Sequence, residues 1–86
     1  MESVRVMFHS MEEAQKFVLS IENFPFNVDL QCERRVIDAK SILGILGFGL
    51  HQVLELRVHT DDEAELEEFH DKIKGFICGE SMVVAI

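Results

Sequence analysis

The chain has 86 residues, a formal net charge of -8, two cysteines and neither Trp nor Tyr. That length builds one small domain around one core, and the acidic balance opposes contact with nucleic acid or an anionic membrane by bulk electrostatics. No apolar run approaches the roughly 18 residues of a membrane span, and the opening Met-Glu-Ser-Val-Arg lacks a signal-peptide pattern, so a cytoplasmic protein without a membrane partner is expected.

Val4, Val6 and Phe8 alternate with Arg5 and Met7, which predicts a strand with one buried face. Ser10-Met11-Glu12-Glu13 fits a capping box, with Ser10 as N-cap and Glu13 three residues on. Ala14, Phe17, Val18 and Ile21 then share one stripe, so a helix is predicted from Met11 to Glu22. Phe24-Pro25 ends it, because the residue before a proline avoids helical geometry. Phe26, Val28, Leu30 and Cys32 alternate with Asn27, Asp29, Gln31 and Glu33, a strand with one wet face. Glu33-Arg34-Arg35 is polar enough for a hairpin turn without the Asn-Gly or Asp-Gly signal, and Val36 and Ile37 form the return strand.

The stretch from Asp38 to Leu50 sets Lys40 and Ser41 before Ile42, Leu43, Ile45 and Leu46, with glycines at 44, 47 and 49. Each glycine costs about 1 kcal/mol against alanine in a helix interior, so the run makes two helical turns at most and stops at Gly47 or Gly49. Ser41 falls at or before the first turn, where free N–H groups and the helix dipole favour a negative charge such as a phosphate. The equally simple reading is a capping serine ahead of core residues.

Leu54, Leu56 and Val58 alternate with Glu55, Arg57 and His59, giving another strand. Thr60-Asp61-Asp62-Glu63 is a second capping box, and the helix it opens carries Leu66, Phe69, Ile73 and Phe76 or Ile77 on one face, with Gly75 or Gly79 to close it. Seven of the sixteen acids lie between Asp61 and Asp71, a solvated helix face rather than a metal cluster. Residues 1–77 thus form the domain, and 78–86 an apolar tail that serves as a further strand, a dimer contact or an unmatched end. Cys32 and Cys78 form no CxxC pair and are expected as buried free thiols, with a disulfide left open. His51, His59 and His70 are scattered, and Glu55 with His59 falls on a strand, so no metal or other cofactor is expected. The order β-α-β-β-α-β-α, every strand with one buried side, predicts an α+β two-layer open-faced sandwich with helices on one face of a four-stranded antiparallel sheet.

Ala39-Lys40-Ser41-Ile42-Leu43-Gly44-Ile45-Leu46 resembles the regulatory-serine segment of HPr, the phosphocarrier of the bacterial sugar phosphotransferase system, in which Lys-Ser-Ile-Met-Gly precedes two apolar residues. The element order is similar over residues 2–77. The family's other signature, a carrier histidine followed by Ala-Arg-Pro, departs from this chain. Counted back from Ser41 without a gap, the histidine falls on Ser10, the arginine on Glu12 and the proline on Glu13. A phosphohistidine needs cationic and backbone donors around the phosphoryl oxygens, whereas two glutamates repel them. The pattern is most similar to the catabolite-repression HPr relative, which also lacks the carrier histidine.

The resemblance implies a non-enzymatic regulatory protein, modified at Ser41 by an HPr kinase/phosphorylase. Its docking surface would be Ile42, Leu43 and Leu46, and its partner a catabolite control transcription factor or phosphotransferase-system components. His9, one residue before Ser10, is the alternative carrier. A structural module that dimerises through the 78–86 tail is the reading from a different class, and the chain is otherwise expected as a monomer.

Overall fold

A computed structural model describes residues 2–78 and 82–83. The elements run β1 (Glu2–Val6), α1 (Met11–Ile21), β2 (Val28–Cys32), β3 (Arg35–Asp38), α2 (Ile42–Phe48), β4 (Leu54–Val58), α3 (Glu63–Ile73), a 3-10 turn (Lys74–Phe76) and β5 (Met82–Val83). Spatial order in the sheet is β3-β2-β4-β1-β5, with every pairing antiparallel. The predicted β-α-β-β-α-β-α sandwich is therefore the fold. A fifth, two-residue strand extends its four strands, setting Ser3 opposite Met82 and Glu2 opposite Val83. Gly79, Ser81 and the last residues of the tail lie outside the described residues.

Strand alternation decides which side is buried. Val4 and Val6 of β1, Val28 and Leu30 of β2, and Leu54, Leu56 and Val58 of β4 form one apolar face. Ala14, Phe17, Val18 and Ile21 of α1 close over it, joined by Phe69 and Ile73 of α3. Two groups of rings fill the space between layers. Phe8, Phe17 and Phe76 meet at centroid distances of 4.9 to 6.2 Å, and Phe24, Phe26 and Phe69 at 5.2 to 5.6 Å. Fully burying one such side chain contributes about 1.5–3 kcal/mol, so these rings outweigh the surface ion pairs, each worth roughly 0–1 kcal/mol.

Four expectations shift. Ordered β2 begins at Val28 rather than Phe26, because Phe26 turns into the cluster with Phe24 and Phe69. The cap of α3 is Asp62, not Thr60. The Asp62 carboxylate accepts from Glu65 N at 3.0 Å, while Thr60 Oγ1 donates to Glu65 Oε1 and accepts from Asp62 N. The helix ends at Ile73, and Gly75 lies within the 3-10 turn that follows. Cys32 and Cys78 are half-buried rather than buried. They cannot pair: Cys78 N bonds Arg5 O on the far side of β1, three strand positions from Cys32, about 14 Å against a Cα limit of roughly 7 Å.

The open face of the sheet is polar. Ser3 Oγ and Arg57 Nε each donate to Glu55 Oε1 at 3.0 Å, and His59 Nε2 meets Asp29 Oδ2 at 2.6 Å. The hydrogen bond from Arg57 is the main cause of a lowered Glu55 pKa, with help from Ser3 and the charges of Arg57 and Arg5, against an opposing desolvation by burial.

Two tests follow from these features. Glu33 closes the β2–β3 hairpin with φ 56, and Cys32 faces Arg35 across a two-residue turn. The left-handed region costs a non-glycine residue about 1–2 kcal/mol, partly offset by glycine's greater unfolded-state freedom. Glu33→Gly is therefore expected to raise stability by roughly 0.5–1 kcal/mol, read by urea unfolding. Glu55 is expected to titrate below the ordinary 4.5. Because its folded value is depressed, its contribution is complete above the unfolded value and is lost as pH falls through the folded one. Carboxyl NMR across the acid range gives the midpoint, and a value at or above 4.5 would contradict the hydrogen-bonded geometry.

Candidate functional site

The two serines singled out in the sequence both cap helices. Ser10 has extended backbone (φ -152, ψ 162) and its hydroxyl accepts from Glu13 N at 3.1 Å. Ser41 (φ -100, ψ 107) accepts from Gly44 N at 3.2 Å. Both hydroxyls therefore satisfy one of the donors that every helix start leaves open.

Helix α2 has seven residues, too few to hold together alone, and three contacts seat it. Gly44 rests on β3, where an added Cβ would lie 2.9 Å from Ile37 Cδ1. Arg35 of β3 stacks its guanidinium 4.9 Å from the Phe48 ring centre and donates from Nη1 to Gly47 O at 3.4 Å, placing a cation at the helix C-terminus. Gly49 then ends the helix at φ 90, a conformation that side chains rarely adopt. In front of the helix, Lys40 Nζ donates to Phe24 O at 2.5 Å and Phe26 O at 2.9 Å, tying the α1–β2 loop to the α2 start. Lys40 is thus a brace, a role its place beside Ser41 does not reveal.

This seating sorts the apolar residues of α2. Ile45 and Phe48 are buried. Ile42 is half-buried against the core and Leu46 is half-buried. Leu43 is 80% exposed, the most exposed large apolar residue among those described, and Met11 at the start of α1 is 54% exposed. Of the three docking candidates, Leu43 alone stands fully in solvent.

The start of α1 and the end of α2 meet. The His9 ring lies 5.7 Å from that of His51, edge to face, and His9 Nδ1 is 3.3 Å from Glu13 Oε1. His51 donates its backbone N–H to Phe8 O at 2.8 Å and has φ 65, a left-handed conformation unusual for a side-chain-bearing residue. Ser10, Glu12, Glu13, His9 and His51 thus gather at one end of the domain. Among the described residues no group of three or more His, Cys, Asp or Glu is placed to hold a metal ion, and no helix is long and apolar enough to cross a membrane.

The family pattern described as "PTS HPr component phosphorylation site" matches residues 10–78. The chain belongs to the HPr family. Two solved HPr structures share its fold. HPr-C-His from Thermoanaerobacter tengcongensis is 24% identical at a TM-score of 0.67, covering 87% of this chain and 93% of its own. The phosphocarrier protein HPr from Bacillus anthracis str. Ames is 20% identical at a TM-score of 0.61, covering 81% of this chain and 93% of its own. Comparison with curated protein sequences gives no match. HPr proteins are non-catalytic phosphocarriers and regulators of sugar transport, so the chain is not an enzyme.

The capping geometry sets an expected outcome. Ser41→Ala removes the acceptor for Gly44 N and should cost about 1 kcal/mol, roughly 4–8 °C in melting temperature for a domain of this size. Ser41→Asp keeps an acceptor at the same place and should stay near the wild-type melting temperature in a thermal scan.

Proposed function

We propose that this HPr-family protein is a cytoplasmic regulatory binding protein of a sugar phosphotransferase system. It is phosphorylated on Ser41 and docks protein partners through Leu43, with Ile42 and Leu46 beside it. The observation that carries the reading is the contrast between the two capped helices. At α2 an exposed serine stands two residues from an exposed leucine. At α1 the residue onto which the sequence resemblance carries the family's histidine is Ser10, whose hydroxyl is tied to Glu13 N, with Glu12 and Glu13 following it in the first turn. Ser41 Oγ would attack the γ-phosphorus of ATP bound to an HPr kinase/phosphorylase, with ADP leaving and the hydroxyl proton passing to a base of the kinase. The product adds nearly two negative charges beside Leu43, a combined mark that a catabolite control transcription factor would bind.

The test is incubation with HPr kinase/phosphorylase and ATP, and separately with Enzyme I and phosphoenolpyruvate. Label on Ser41 in the first mixture, absent in Ser41→Ala, is the expected outcome, and label on histidine in the second would overturn it. Leu43→Ala should weaken partner binding by about tenfold while leaving the melting temperature unchanged, because the side chain lies in solvent.

His9 supplies the second reading, an active phosphocarrier. Its side chain is 59% exposed, and Glu13 engages Nδ1, which turns Nε2 into the nitrogen available for a phosphoryl group. That reading predicts acid-labile phosphate from Enzyme I that disappears in His9→Ala.

A further inference from the structure

Two residues of the edge strand β3 meet α2. Arg35 and Ile37 are two apart, so alternation sets both on the same side of the strand, where Ile37 lies against Gly44 and Arg35 against Gly47 and Phe48. A Cβ added at Gly47 would stand 3.6 Å from Arg35 Nη2, so the guanidinium lies close to the helix backbone. Its contacts with the Phe48 ring at 4.9 Å and with Gly47 O at 3.4 Å both fall in the last turn of α2.

That turn is the weak end of the helix. Gly47 lowers its helical preference, its final carbonyls have no partner within the helix, and α2 has no basic residue of its own in the last turn. Arg35 supplies from another element what the helix lacks: a donor for Gly47 O, a positive charge at the negative end of the dipole, and a cation over the Phe48 ring. Burial of Ile45 and Phe48 holds the helix to the core but satisfies none of those carbonyls. Seven residues make about two turns, and helix formation is cooperative, so opening of the last turn reaches the first. The bonds from Gly44 N to Ser41 Oγ and from Ile45 N to Ser41 O then open with it.

We propose that Arg35 is the positioning residue of the Ser41 site: from β3 it holds the last turn of α2 closed, so that Ser41 and Leu43 are presented together on a preformed helix. The proposal rests on the reading of Ser41 as the phosphorylated residue. A kinase that engages this surface as a helix binds only the closed fraction, so loosening α2 weakens its apparent binding in proportion. Once α2 is ordered in the complex, the transfer step itself is unaffected. Arg35 therefore acts on KM rather than on kcat.

The experiment compares the whole 86-residue protein with Arg35→Met, Arg35→Lys and Ile73→Val, the last a control that trims a buried residue of α3. Amide exchange read by NMR should speed up about tenfold at Ile45 to Gly49 in Arg35→Met relative to Leu54 to Val58. Arg35→Lys should recover part of the protection, because it restores the charge without the planar stack. With HPr kinase/phosphorylase and ATP, Arg35→Met should raise KM about tenfold at unchanged kcat, while Ile73→Val leaves KM where it is. Unchanged α2 exchange in Arg35→Met, an unchanged KM despite faster exchange, or an equal rise of KM in Ile73→Val would each overturn the proposal. Wild-type protein that takes no label on Ser41 would overturn the phosphorylation reading and the positioning role with it, whereas label on the wild type with unchanged exchange in Arg35→Met would overturn the positioning role alone.

Discussion

β4 lies between β1 and β2 and pairs with both, so its three inward residues, Leu54, Leu56 and Val58, form the middle of the apolar face. Shifting that strand by one residue would turn all three to solvent and bring Glu55 and Arg57 under the helices. Burying two charges in an apolar layer is prohibitive, and the register is fixed accordingly. The helices then have one side on which to lie, and α1 and α3 settle there because their apolar stripes match it. Even the polar row on the opposite side is a product of this register, since each outward residue is defined by its inward neighbours.

Helix α2 depends on the sheet in a different way. It is too short to be stable alone, and its seat comes from Ile37 and Arg35 on the edge strand β3 and from Lys40 at its front. The hairpin that presents β3 is therefore coupled to the presentation of Ser41 and Leu43. Gly44 is part of that coupling: it weakens the helix as a helix while allowing its close approach to the strand, and the approach wins because packing outweighs the roughly 1 kcal/mol of propensity lost.

Much of this was legible in the residues. Alternation found β1, β2 and β4, the Ser10 capping box found α1, and Ser41 with its glycine-broken apolar run found α2 together with its cap. What failed was local competition among similar groups. Thr60 and Asp62 are both good N-caps, and no periodicity says which hydroxyl or carboxylate will reach the backbone and which will be spent on Glu65. Phe26 continues the alternation of β2, yet long-range packing on Phe69 draws it out of the strand. The site was legible in part for the same reason. Ser41 and Leu43 are local features, whereas the roles of Lys40 and Arg35 and the meeting of His9 with His51 arise between residues far apart in the chain.

Lys40 is half-buried and gives two of its ammonium hydrogen bonds to main-chain carbonyls, so the side chain next to Ser41 in sequence is anchored within the domain. A phosphoryl group proposed for Ser41 would therefore not draw that anchored side chain onto itself, and it would add negative charge to a chain already at -8. The counter-charge has to come from whichever surface binds it. Recognition of the modified form would then rest on a basic patch of the partner and fade as ionic strength rises, while contact through Leu43 alone would be largely indifferent to salt. The domain would behave as an anionic ligand whose reader supplies the complement.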